Sequence, residues 1–335
     1  MAIGPISDSH RQISVVEPLN PAFEHVKRVL FQPFDIGKWF VIGFCAWLAQ
    51  LGESGGTNFN YSGTHSGSSS NNVSAESIRG GLEKAREYVI GNLYWLVPVA
   101  ICAFLFLMAL WVLILWLNSR GKFMFLHCVA LDKAEVVEPW NRYAGPANSL
   151  FWFQLALGLI SMVLIFPLLG ITGVLILKMI LHGEPIIGAI LAIAGIVMFI
   201  VLWMIVFALI HKFTVDFVVP IMYLRGGKCL DAWGEFWKLL CAQPGLFTLY
   251  ILFQIVIGIA IGVIVLFAFV LTCCIACCLA AIPYIGTVLL LPIFVFKRSF
   301  SLYFLRQFGL NYDVFPPPPA PPTATGLQPL PSQPV

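Results

Sequence analysis

The chain has 335 residues, of which 59% are hydrophobic and only 10% charged, whereas soluble domains carry about 25% charged residues. That excess of apolar surface excludes a soluble globular domain and sets the class as integral membrane protein. The formal net charge of +3 says little about partners by itself, and no nucleic acid is expected among them.

Residues 1–20 read as a polar N-terminal segment. The first 36 residues hold no apolar stretch with a small-residue cleavage site, so no cleaved secretory signal is expected. Six apolar runs follow: Ile36–Leu51, Leu93–Leu117, Ser149–Leu177, Ile186–Ile210, Leu246–Leu271 and about Ile282–Phe296. A membrane helix needs about 20 apolar residues. The second, fourth and fifth runs fit that length. The third is long, and Pro167, Gly170 and Gly173 predict a tilt or kink in it. The first and sixth are short, with amphipathic flanks that suit a partly interfacial position. None alternates as a barrel strand would, so all six are expected to be helices.

Residues 52–92 form an outer loop rich in Gly, Ser and Asn, expected to be flexible; its second part, "ESIRGGLEKAREYVIG", predicts a short helix. The tail, residues 313–335, is proline-rich. It reads as a disordered cytoplasmic segment or, alternatively, as a dock for a polyproline-binding partner. With the N-terminus inside, 15 of the 19 Lys and Arg residues fall on the inner side. Only Arg79, Lys84, Arg86 and Lys178 lie outside. The positive-inside rule then places both termini in the cytoplasm.

Three mixed segments share a pattern: "PAFEHVKRVLFQPFDIGKWF", "EPWNRYAGPANSLFWF" and "DAWGEFWKLLCAQPGLF". Each places an aromatic residue near its start, then a proline, then an apolar run. The expected fold is therefore all-α, with about six transmembrane helices in three parallel hairpin repeats, 21–133, 134–227 and 228–312. Each repeat is preceded by a cytoplasmic interfacial amphipathic helix. In the third, Trp233, Phe236, Trp237 and Leu240 fall at i, i+3, i+4 and i+7 on one face, with Glu235 and Lys238 off it. Phe23, Trp140, Trp233 and Trp237 are the expected interfacial anchors.

At these residues a resemblance emerges. "VLFQPFDIGKWFVIGFCAWLA", "PWNRYAGPANSLFWF" and "DFVVPIMYLRGGKCLDAWGEFWKLL" resemble bacterial multi-spanning membrane proteins of unassigned function. They are more distantly similar to the membrane domain fused to some glycerophosphodiester phosphodiesterases. The resemblance covers about residues 22–312 and implies a fold. It brings no catalytic residues, because no soluble segment here could hold the phosphodiesterase barrel.

Candidate chemistry is sparse. "TCCIACC" brings Cys273, Cys274, Cys277 and Cys278 to one side of a helix. Four thiolates can hold zinc or an iron–sulfur cluster, yet four cysteines on consecutive turns reach tetrahedral geometry poorly, and packing is the preferred role. The odd count of nine cysteines predicts no disulfide framework. The centres of the six runs hold no Asp, Glu, Lys, Arg or His. Gln154 and Gln254 are the polar groups at depth, expected to bridge helices or line a polar path. Lys27, Arg28, Lys212, Arg225, Lys228 and Lys238 suit anionic headgroups. His127, His211, Asp132 and Asp216 stand at the ends of runs, where interfacial hydrogen bonding is expected of them. No metalloprotease helix, phosphate loop or catalytic triad occurs, so neither cofactor nor metal is expected. The sequence thus predicts a non-enzymatic protein of a bacterial inner membrane that organises the membrane or binds lipid or a partner. That partner could be a second copy or another membrane protein. The alternative is an uncoupled transporter or channel for a neutral or lipid-like solute.

Overall fold

The computed structural model describes residues 13–52, 80, 88, 90–182, 187–272 and 282–315. Among these residues every regular element is helical and none is a strand. Helix α1, Leu19–Phe31, buries Ala22, His25, Val26, Val29 and Leu30, the i, i+3, i+4, i+7, i+8 stripe of an amphipathic helix. Its other face exposes Phe23, Glu24, Lys27 and Arg28. Helix α2, Ile36–Gln50, starts at Asp35, whose carboxylate accepts the Gly37 N–H at 2.8 Å, a side-chain cap for one orphan amide. Then come α3, Leu93–Leu131; α4, Val137–Arg142; α5, Ala144–His182; and α6, Ile187–Phe213. A π-helical turn, Thr214–Val218, joins α6 to α7, Val219–Arg225. Last are α8, Cys229–Ala242; α9, Pro244–Leu271; α10, Pro283–Leu289; α11, Leu291–Arg306; and a 3₁₀ turn, Leu310–Tyr312.

Four stretches are long and apolar enough to cross a membrane: Tyr94–Leu131, Ala144–Met179, Ile187–Arg225 and Pro244–Ala268. Their most apolar windows are 0%, 0%, 0% and 11% buried within the protein. Such surfaces face lipid or a partner rather than a core. The 39 residues of α3 span about 58 Å at 1.5 Å per residue, against a hydrocarbon layer of about 30 Å. The surplus of α3 lies at its C-terminal end, and there the core begins.

The buried core sits at one end of the long helices. It takes Phe123, Leu126 and Ala130 from α3, Ala147 and Leu150 from α5, Phe217 and Val218 from the π turn, Phe236 from α8, Phe247 and Tyr250 from α9, and Phe300 and Phe304 from α11. A second cluster joins α1, α2, the end of α3 and α11 through Val29, Leu30, Ile42, Cys45, Met124, Cys128 and Val295. Phe217 is fully buried and stacks on Phe236 at 5.2 Å.

The first and sixth runs become short helices at this end. Helix α2 runs antiparallel to the last third of α3. Lys38 pairs with Asp132 at 2.6 Å, Cys45 meets Cys128 at 3.8 Å, and the Asn118 amide donates to the Ala49 and Leu51 carbonyls at 2.7 and 2.9 Å. Gly121 makes this approach possible, because a Cβ there would lie 2.5 Å from the Ala49 nitrogen. Helix α2 ends at the level of Asn118, well short of the start of α3. The sixth run is divided at Leu290 into α10 and α11, with Pro292 in the first turn of α11, where a proline fits without losing a bond. Helix α10 lies beside α2: the Tyr284 hydroxyl donates to the Phe40 carbonyl at 2.9 Å, and Gly43 abuts Val288.

Candidate functional site

The packed end gathers the polar chemistry. On α3, Trp116 and Arg120 are four residues apart and share a face. The Arg120 guanidinium lies 4.9 Å from the Trp116 ring and 4.9 Å from the Trp140 ring on α4. The two indoles meet edge to face at 5.8 Å. One Arg120 Nη donates to the Trp140 carbonyl at 3.0 Å, while its Nε is buried with no partner among the described residues. Trp116 is also the end of an apolar groove of about 480 Å³, lined by Met108, Ala109, Val112, Leu113, Trp116 and Phe151. From Met108 to Trp116 is about 12 Å along the helix. A shallow apolar depression therefore runs along α3 toward a guanidinium that rests against both indoles, an arrangement in which cation–π attraction positions the charge.

Deeper in the packed end, polar groups bridge the helices. Ser119 donates to the Gln154 side-chain carbonyl at 3.1 Å, α3 to α5. Lys122 donates to His211 at 3.3 Å, α3 to α6. Lys212 pairs with Asp216 at 2.8 Å. The same carboxylate accepts from the Tyr250 hydroxyl at 3.0 Å, and Tyr250 in turn accepts from Gln254 at 2.9 Å. Asp216 sits on the π turn. The extra residue in that turn breaks the regular backbone ladder, and the Val215 carbonyl accepts from Arg298 of α11. Asp216 and Arg298 are each 6% exposed; Lys212 compensates the buried Asp216 charge, and the Val215 carbonyl receives the Arg298 guanidinium, as buried charges require. At the surface of this end, Arg225 bonds Glu235 at 2.7 Å. That bond, above all, holds the Glu235 carboxyl below the usual carboxylate range.

The structure distributes the sequence-predicted residues unequally. Gln154 and Gln254 are buried and bonded as above. Trp140 closes on Arg120. Trp233 packs against Phe153 and Phe236, whereas Trp237 is 57% exposed; the buried face of α8 is Cys229, Ala232 and Phe236. Phe23, Lys27 and Arg28 share the exposed face of α1, Lys228 and Lys238 are exposed, and Lys212 and Arg225 are in ion pairs. Cys273, Cys274, Cys277 and Cys278 lie outside the described residues, as do residues 53–79 and the tail from 316. Sequence reasoning missed Trp116 and Arg120. Their i, i+4 spacing at the end of an apolar run was the available signal.

Every regular element among the described residues is helical, and four helices are long and apolar enough to cross a membrane, the mark of a membrane protein. A family model described as a family of unknown function (DUF7544) matches residues 13–305. The chain belongs to that family. No curated protein and no solved structure matches it.

Proposed function

We propose that the protein is a non-enzymatic, lipid-interacting organiser of a bacterial inner membrane, holding an anionic phospholipid at Arg120 with one acyl chain in the adjoining groove. One observation carries this: the shallow apolar depression on α3 reaches Trp116, against which, together with Trp140, the Arg120 guanidinium rests. A phosphate and its acyl chain have the matching order of charge and apolar length, and tryptophan belongs at headgroup depth. In this reading the packed end faces the cytoplasm, and both termini lie there. Lys38, Lys122, Lys212, Arg225 and Arg298 at that end support the orientation through the positive-inside rule. A Ser68→Cys protein in a cysteine-free background, labelled by impermeant maleimide only from the cytoplasmic side, would reverse it.

The test is native mass spectrometry of the purified protein titrated with phosphatidylglycerol or phosphatidylcholine. Phosphatidylglycerol should bind more tightly. Arg120→Gln should weaken it about tenfold, as expected for a lost charge-assisted bond of about 1.5 kcal/mol. Met108→Trp should block the groove while leaving Arg120 in place, and weaken both lipids. Equal binding of the two lipids, unchanged by Arg120→Gln, would overturn the reading.

A further inference from the structure

A second cluster lies beyond the lipid groove, where α3 turns into α4. His127 occupies the last turns of α3 and is 1% exposed. The Tyr223 hydroxyl lies 3.0 Å from its Nδ1, and Tyr223 is held by stacking on Tyr143 at 4.6 Å. The other ring nitrogen, Nε2, is buried and has no hydrogen-bond partner among the described residues. A buried polar atom left so is destabilising, unless something outside the chain satisfies it.

Two carboxylates converge on this ring. Asp132 takes a left-handed conformation, φ 56°, and ends α3. The chain reverses, and Cys128 pins the turn by donating its S–H to the Glu135 carbonyl at 3.4 Å. One Glu135 carboxylate oxygen lies 3.7 Å from Lys133, while the other is buried without a partner. Glu138, in the first turn of α4, has one oxygen 3.5 Å from Arg142. A ring nitrogen of His127 and one oxygen each of Glu135 and Glu138 lie within 4.8 Å of one another. Glu135 thus keeps one oxygen for Lys133 and turns the other inward.

We propose that His127, Glu135 and Glu138 form a binding site for a borderline divalent cation, of the zinc or manganese type. Imidazole with carboxylates suits such ions, whereas calcium takes six to eight oxygens. Metal bonds of about 2.0–2.2 Å place tetrahedral ligand atoms about 3.4 Å apart. The side chains of Glu135 and Glu138 are 40% and 54% exposed and free to close that last ångström. The donor set is completed from behind: with Nε2 on the ion, Nδ1–H donates to the Tyr223 oxygen, fixing tautomer and ring as outer partners of metal histidines do. Three protein ligands leave positions open for water or a ligand from the cytoplasmic side. Because α4 carries both Glu138 and Trp140, the ion also anchors the helix that closes on Arg120.

The experiment uses the full chain in detergent, stripped with chelator and titrated with Zn²⁺ or Mn²⁺ by calorimetry, with elemental analysis after desalting. One ion per chain is expected. Glu138→Gln, an exposed change that leaves the fold alone, should weaken binding at least tenfold. Tyr223→Phe should weaken it about tenfold, the range for outer partners. The change of Cys273, Cys274, Cys277 and Cys278 to alanine should leave it intact. Co²⁺ bound in place should show no thiolate charge-transfer band. Binding that survives Glu138→Gln, that disappears with the four cysteines, or that is absent altogether, overturns the assignment.

Discussion

Gly121→Ala is the sharpest test of how the packed end holds together. A methyl group at Gly121 would sit 2.5 Å from the Ala49 nitrogen and 2.5 Å from the Leu48 carbonyl carbon. Ordinary contact begins near 3.4 Å, and both neighbours are backbone that cannot rotate away. Helix α2 must therefore back off by about 1 Å, at an overpacking cost of about 1–3 kcal/mol. The same movement stretches the two Asn118 bonds to Ala49 and Leu51, each worth about 0.5–1.5 kcal/mol. Together the loss is about 2–6 kcal/mol. At about 2–4 °C per kcal/mol for larger domains, thermal unfolding in detergent should fall by roughly 4–24 °C. The control is Gly258→Ala on α9, where nothing lies within 4 Å. Alanine there gains helix propensity of about 0.8–1 kcal/mol, so its effect should have the opposite sign. If Gly121→Ala unfolds at or above the wild-type temperature, the close α2–α3 approach is wrong.

His25 gives a pH dependence. Its Nε2–H donates to the Val129 carbonyl at 2.8 Å, and burial, partly opposed by that bond and by Asp132 but aided by Arg28, lowers its pKa from the ordinary 6.5. The folded state then binds fewer protons than the unfolded one below pH 6.5, so stability should be full above neutrality and fall as the medium is acidified. The slope from this group is at most about 1.4 kcal/mol per pH unit, and a His25→Gln protein should lose that part of it in melts between pH 5 and 8. Single-tryptophan proteins should separate the two indoles of α8: Trp237, exposed, should be quenched strongly by headgroup-level brominated lipid, and Trp233, packed on Phe153 and Phe236, weakly. Equal quenching would mean that α8 lies on the bilayer by both indoles rather than docking on the core through Phe236.

What the sequence carried was periodicity and run length. The four long apolar helices are effects of composition and run length, and they lie where the sequence pointed. The ends of the helices were less legible. Hydropathy stops the second run at Leu117, yet α3 continues through Arg120 and Lys122 to Leu131. Those cations look like a boundary when averaged along the chain. In the fold they are satisfied across it: Lys122 by His211, 89 residues away, and Lys38 by Asp132, 94 residues away. On α8 the apolar pattern groups Trp233, Phe236 and Trp237 on one face, and packing buries Phe236 while leaving Trp237 exposed. Trp233 and Trp237 are equally apolar, and only tertiary packing decides that Phe236 points inward. The cation-site residues span a chain reversal at Asp132, so no helical or metal-motif spacing could reveal them.

The asymmetry between apolar shafts and a packed end follows from the solvent. Inside a bilayer, lipid tails are as apolar as leucine, so helix shafts gain little by burying apolar surface against one another. Few side-chain links join the shafts here; one is Trp203 to Ser161 at 3.3 Å, another the seat of Trp111 on Gly158. Where the helices leave the hydrocarbon, the hydrophobic effect returns, and aromatic residues from α6 to α11 can be driven together: Phe213, Phe217, Phe236, Phe247, Tyr250, Phe300 and Phe304. At that level paired charges become tolerable as well, because water and backbone stand close enough to complete their bonds. Cohesion and polar chemistry are thereby forced into the same layer. The Arg120 clamp, the Asp216 network and the His127 cluster all lie there, and any ligand that binds them bears directly on the part of the molecule where the helices are packed together.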